Sequence, residues 1–172
     1  MKSPTKICSI CRGRIIIHPD LWKDTPGNAD VFCSPECIVK AIRNNSDILD
    51  ISERKATKKP IVSEFYLNYS TIIGKPFRSE FEVLVAEYFT KHKLEYLYES
   101  VTLELFKGTR HWTPDFYFPE YSTFVEVKGV WALGGRKKFN EAVLTIDEPI
   151  ILIPYWMKEL FRKELKWESK ET

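Results

Sequence analysis

The reading turns on one stretch, Thr113-Pro114-Asp115-Phe116-Tyr117-Phe118, the turn Pro119-Glu120-Tyr121-Ser122, and Thr123-Phe124-Val125-Glu126-Val127-Lys128-Gly129. Two runs rich in aromatic and β-branched residues flank turn-forming residues, the pattern of an antiparallel strand pair. With the turn centred between Glu120 and Tyr121, cross-strand partners have residue numbers that sum to 241, so Asp115 faces Glu126. Directly opposed side chains start about 4.5–5.5 Å apart, and two carboxylates there repel unless a cation lies between them. Phe124, Glu126 and Lys128 share one face of the second strand while Val125 and Val127 share the other, which makes Lys128 a neighbour of Glu126. Charges in apolar strands are costly unless they are paired or bind an ion. The register therefore predicts a metal site; an ordinary ion-pair network among Asp115, Glu126 and Lys128 is the competing reading.

Working outward, Phe81, Leu84, Val85, Tyr88 and Phe89 recur at helical spacing, with Ser79 in the capping position. Leu94 to Phe106 alternates apolar and polar residues, Lys107-Gly108-Thr109 supplies a turn, and Arg110 to Phe118 resumes extended character as a hairpin. Thr123 to Val130 is the third strand. Gly134 and Gly135 precede a helix predicted over 136–145, Ile150 to Ile153 reads as a buried strand, and Trp156, Leu160, Phe161 and Leu165 mark a last helix over 155–167. The order is helix, three strands, helix, strand, helix, an α/β fold with a mixed sheet in a domain over 61–172.

All four cysteines precede residue 40, as Cys8-x2-Cys11 and Cys33-x3-Cys37. Two close pairs suit tetrahedral zinc, because each short loop brings two thiolates to one ion. A two-disulfide or redox arrangement is the alternative, disfavoured in a reducing cytosol. Ser34 and Pro35 stand where a helix cap and first turn belong, so the second pair opens a short helix, and Cys8 and Cys11 sit on a turn before the strand Ile15 to Ile17. This layout resembles treble-clef zinc fingers. Four thiolates leave no open position, so the expected zinc is structural, and His18 is read as a surface or packed residue. The module spans 1–45, and a basic connector carrying Arg54, Lys55, Lys58 and Lys59 spans 46–60.

With 172 residues, 44% hydrophobic and 29% charged, the chain can bury a core, which excludes a disordered protein. The net charge of +2 is too small to argue by itself for a nucleic acid or membrane partner. No apolar run approaches the roughly 20 residues of a spanning helix, so no membrane association and a cytoplasmic location are expected.

A hard cation held by the two carboxylates Asp115 and Glu126 and a backbone carbonyl, with positions open to water and a phosphate oxygen, suits phosphodiester hydrolysis. Lys128 then either orients or helps deprotonate the attacking water, or stabilises charge in the transition state. Thr113-Pro114-Asp115-Phe116 and Glu126-Val127-Lys128-Gly129 resemble the PD-(D/E)XK nuclease signature. Phe77-Arg78-Ser79-Glu80-Phe81-Glu82 resembles the helix motif that carries the first acid of that superfamily, with Glu82 as the match. Ser79-x-x-Glu82 is equally a capping box, and Glu80 and Glu87 are the other candidates.

The likeness over 77–138 is greatest to the phage endonuclease I family of Holliday-junction resolvases and to related phage and transposon nucleases. It implies a restriction-endonuclease-like core, Mg2+ or Mn2+ at Asp115, Glu126 and Val127, catalysis by Lys128 with Glu82, and branched DNA as substrate in recombination. Sequence-directed cleavage of homing or restriction type, and a noncatalytic zinc-finger DNA-binding protein on a nuclease fold, are the alternatives. Arg78, Arg136, Lys137 and Lys138 are candidate phosphate contacts, with a solvated helix end as the simpler account. A symmetric double-strand cut would need two active sites and hence a homodimer.

Overall fold

The structure is a computed structural model that describes residues 5–16, 30–45, 68–105, 110–129, 131 and 134–167. The chain begins with a hairpin of β1 (Thr5–Ile7) and β2 (Arg14–Ile16), paired Thr5↔Ile16 to Ile7↔Arg14. Helix α1 (Pro35–Arg43) follows the second cysteine pair. Ser34 caps it, accepting the Cys37 N–H at 3.2 Å, and Pro35 occupies the first turn, where its missing N–H costs nothing. Cys37, Ile38, Ala41 and Ile42 form its buried stripe. His18 and the connector 46–60 lie outside the described residues.

A second hairpin, β3 (Asn68–Ser70) and β4 (Lys75–Phe77), turns at Gly74, whose φ of 71° suits a residue without a Cβ. The sequence reading did not anticipate it. It leads into α2 (Glu80–Lys91), capped by Ser79 as expected, with Phe81, Glu82, Val85, Ala86, Tyr88 and Phe89 buried. The helix ends in a Schellman motif: Leu94 N–H donates to Phe89 O at 3.0 Å and Lys93 N–H to Thr90 O at 2.9 Å. Lys93 takes the left-handed position, φ 56°, that glycine usually fills.

The next two extended arms are each broken in two, where continuous strands were expected. They comprise β5 (Leu97–Tyr98) with β6 (Leu103–Leu105), and β7 (Arg110–Trp112) with β8 (Phe116–Phe118). Leu97 pairs with Tyr117 but Leu103 pairs with Trp112, so the register slips by one residue between the two halves. Pro114 lies in the break and has no N–H to give to a ladder. On the other arm Glu99, at φ 43°, donates its N–H to Asp115 O at 2.9 Å. The slip turns Trp112 away from the face of Phe116 and Phe118 and into the cluster of Phe124 and Phe139.

A 3-10 turn over Pro119–Tyr121, closed by left-handed Ser122, leads into β9 (Thr123–Lys128). The β8–β9 pairs are Phe116↔Val125, Tyr117↔Phe124 and Phe118↔Thr123, each summing to the 241 that the turn predicted. Helix α3 (Gly135–Thr145) then crosses over to β10 (Ile150–Pro154), which pairs with β9 in parallel. Helix α4 (Lys158–Trp167) follows a 3-10 turn over Tyr155–Met157.

The strand order β10-β9-β8-β5 makes a mixed four-stranded sheet between helices, so the fold is mixed α/β with four helices among the described residues. One face, with Phe116, Phe118, Val125, Val127, Ile151 and Ile153, packs on α2 and α4. The other, with Tyr117, Phe124 and Leu152, packs on α3 and on the β6–β7 hairpin. The cysteine-bearing residues join the first core, since Cys8, Ile15, Phe32, Cys37, Ile38 and Ile42 belong to the same cluster as Phe77, Phe89 and Phe161. Arg43 donates to His92 O at 2.9 Å, and Asn45 donates to Thr123 Oγ1 at 3.1 Å, at the start of β9. No helix among the described residues is long and apolar enough to cross a membrane.

Candidate functional site

The four cysteines converge: all Sγ atoms lie within 4.8 Å of one another, with Cys11 and Cys33 at 3.4 Å and Cys33 and Cys37 at 3.6 Å. None forms a disulfide. A tetrahedral ion bound at about 2.3 Å needs its sulfurs roughly 3.8 Å apart, so the set could hold one zinc ion. The first pair sits on a tight knuckle in which Cys8 N–H donates to Gly13 O at 2.9 Å and Arg12 N–H to Cys8 O at 3.1 Å. Gly13 N–H points at Cys11 Sγ at 3.4 Å, and a Cβ on Gly13 would stand 3.3 Å from that sulfur.

Burial opposes the Cys8 thiolate, but N–H groups of Cys11, Ile10 and Cys33 outweigh it and hold its pKa at about 6. Burial pushes Cys33 up to about 12, helped by its three thiol neighbours, and burial raises Cys37 as well. Crowded thiols without a cation thus resist shared ionisation. Among the described residues, this is the one set of three or more Cys, His, Asp or Glu ligand atoms gathered tightly enough to share an ion.

The second site lies where β8, β9 and the start of α2 meet. Glu82, Asp115 and Glu126 are 8%, 8% and 4% exposed, an unusual depth for three acids. The β8–β9 register, continued by one pair, sets Asp115 against Glu126, and Asp115 Oδ2 accepts the Val127 N–H at 2.7 Å. Glu126 Oε1 forms an ion pair with Lys128, whose ammonium also lies 5.6 Å from the Trp131 ring centre. Glu126 Oε2 is buried with no hydrogen-bond partner.

Burial pushes the Asp115 pKa well above the usual carboxylate range, and Glu126 and Glu82 add to the shift. Burial also raises Glu126, against the pull of Lys128. For Lys128 burial works the other way, but Glu126 and Asp115 outweigh it and push its pKa up.

Of the three candidate helix acids, only Glu82 turns inward. Its Oε1 accepts from Ser79 Oγ at 2.7 Å, and its Oε2 accepts from Arg78 N–H at 3.2 Å and from the Tyr98 hydroxyl. Ser79 Oγ in turn accepts the Glu82 N–H at 3.1 Å, so a capping arrangement and a buried acid are the same residue. Glu80 faces α4, where Lys158 and Arg162 hold its pKa down at about 2, and Glu87 accepts from Ser70 Oγ at 2.7 Å. The three buried carboxylates do not gather as closely as the thiols: Lys128 occupies one oxygen of Glu126, and donors surround Glu82.

The four basic candidates divide. Arg78 pairs with Glu99 at 2.9 Å, whereas Arg136 and Lys137 are exposed and Lys138 half-buried in the first turn of α3. That helix begins at left-handed Gly134, φ 80°, with no side-chain cap. Arg110 pairs with Glu141 at 2.7 Å. Sequence reasoning missed Tyr98, because its place against Phe116 depends on the slipped register rather than on strict alternation.

No family model, no curated protein and no solved structure compared with the chain matches it.

Proposed function

We propose that the chain is a metal-dependent DNA endonuclease of PD-(D/E)XK type, with a restriction-endonuclease-like core and a structural zinc braced against it. The observation that carries this reading is the pair of buried, opposed acids Asp115 and Glu126 beside Lys128, with Glu126 Oε2 left unpartnered. An orphaned buried carboxylate oxygen calls for an explanation, and a divalent ion is the one that also accounts for the opposed Asp115. Asp115, Glu126 and the Val127 carbonyl are the residues that would hold Mg2+ or Mn2+. When bound, such an ion supplies Lewis acidity toward a phosphodiester oxygen and lowers the pKa of a water.

The protein residues do the rest. Asp115 is fixed by the Val127 N–H, and Glu82 adds negative charge from the helix side. Lys128, kept charged by the acids around it, offers donors that orient a nucleophile and stabilise charge developing on phosphate. Exposed Arg136 and Lys137 at the first turn of α3 are suited to phosphate contacts.

The preferred substrate is branched DNA. Cleavage of four-way junction, linear duplex and single-stranded DNA with Mg2+ or Mn2+, compared with Asp115→Asn, tests the proposal. Junction-selective cutting lost in the variant supports it, whereas cutting confined to rare duplex sites supports a homing or restriction role. A noncatalytic DNA-binding role has one observation in its favour, the Lys128 ammonium seated on Glu126 where an ion would bind. Binding of DNA without cleavage of any substrate would establish that role instead.

A further inference from the structure

We propose that Tyr98 is a positioning residue for Glu82, fixing its carboxylate so that a single lone pair, on Oε1, remains for a cation or a water. This inference rests on the nuclease reading above and extends it to a residue with no part in the signature. The phenol accepts the Arg78 N–H at 3.1 Å and donates to Glu82 Oε2. Arg78 N–H also reaches that same oxygen at 3.2 Å, so Oε2 has two donors. Ser79 Oγ, at 2.7 Å, is the donor to Oε1. A carboxylate oxygen accepts about two hydrogen bonds, which leaves one acceptor position on Oε1 and none on Oε2.

The ring itself is locked. It meets Phe77 edge-on at 4.7 Å and Phe116 at 5.5 Å between ring centres. Tyr98 pairs with Phe116 in the sheet, and the adjacent Glu99 donates its N–H to Asp115 O at 2.9 Å while its carboxylate holds Arg78. The dipeptide Tyr98-Glu99 therefore references both Glu82 on the helix and Asp115 on the strand. With Glu82 Oε1 joining Asp115 and Glu126 as a further ligand, a group that orients it without touching the ion would change affinity about 10–100-fold when removed.

The test is titration of Mn2+ into the zinc-loaded full chain by calorimetry, without DNA, for wild type, Tyr98→Phe, Glu82→Gln and the double variant. Phenylalanine keeps the ring contacts, and circular dichroism with zinc content verifies folding. The expected result is Mn2+ binding about 10–100-fold weaker in Tyr98→Phe, with no further loss when that change is added to Glu82→Gln. Unchanged Mn2+ affinity in Tyr98→Phe, or an equal loss in the Glu82→Gln background, overturns the Tyr98 role and leaves the nuclease reading standing. Absence of Mn2+ binding by wild type overturns both, and the wild-type titration alone distinguishes that case.

Discussion

Asp115 Oδ2 accepts the Val127 N–H at 2.7 Å just past the last paired residues of β8 and β9. A side chain thus takes over where the backbone ladder stops, and in doing so it presses an acid against Glu126.

Replacing Asp115 by Asn separates these two effects. The amide oxygen can still accept the Val127 N–H, but the buried charge is gone. Burial first, then Glu126 and Glu82, raise the Asp115 pKa in the folded chain. The folded state therefore holds that proton more tightly than the unfolded state. The stability this provides is present below the ordinary carboxylate pKa and is lost as pH rises through the raised value. We expect Asp115→Asn to abolish cleavage yet raise the melting temperature at pH 7–8 without added divalent ion, by about 2–4 °C for each kcal/mol gained. Melting curves across pH check this, and the difference should shrink toward pH 4.

Removing the lysine should do the opposite. Lys128→Met leaves Glu126 buried without its cation, and breaking a buried pair costs about 3–5 kcal/mol unless the acid takes up a proton. Urea unfolding should show a loss that grows from pH 6 to pH 8, and Glu126→Gln in the same chain should recover most of it. A loss independent of Glu126 would mean that Lys128 acts through other contacts.

Glu80 and Glu82 differ by two residues and should differ in kind. Glu80 forms exposed ion pairs with Lys158 and Arg162, so Glu80→Gln should cost no more than about 1 kcal/mol, less in high salt, and spare cleavage. The Glu80 pKa is lowered to about 2, so its contribution is present above the ordinary carboxylate value and is lost as pH falls toward 2. Glu82→Gln should instead abolish cleavage at every salt concentration. Equal cleavage by both variants would remove Glu82 from the site.

Cys33→Ser should release zinc, measured by a colorimetric chelator assay, and destabilise the entire chain. Cys8 and Cys37 lie in the same core as Phe77, Phe89 and Phe161, so thermal unfolding should stay a single transition at lower temperature. Two transitions would show that the amino-terminal residues fold by themselves.

The β8–β9 register was legible because two alternating arms meet at a four-residue turn, where every contact is local. The Ser79 cap and the Ser34-Pro35 start of α1 were legible for the same reason. The hairpin of β5–β8 was readable as a hairpin but not in its register. A one-residue slip beside Pro114 and left-handed Glu99 reverses the face of Trp112; Pro114 marks where the ladder can break but not which way the register shifts. The β3–β4 hairpin was missed because its strands are three residues long and gain their place by packing on α2. Glu82 looked ambiguous because one side chain serves both as a cap partner and as a buried acid.

Strand β9 runs between β8 and β10 and hydrogen-bonds to both. To expose its amides to solvent, the chain must break two ladders and open two cores, a fluctuation close to global unfolding. Deuterium exchange at Val125 and Val127 should therefore be among the slowest in the molecule, while the short β3–β4 hairpin exchanges early. Glu126 and Lys128 thus ride on the segment least able to breathe, and any adjustment that a substrate demands must come from the helix and loops around it.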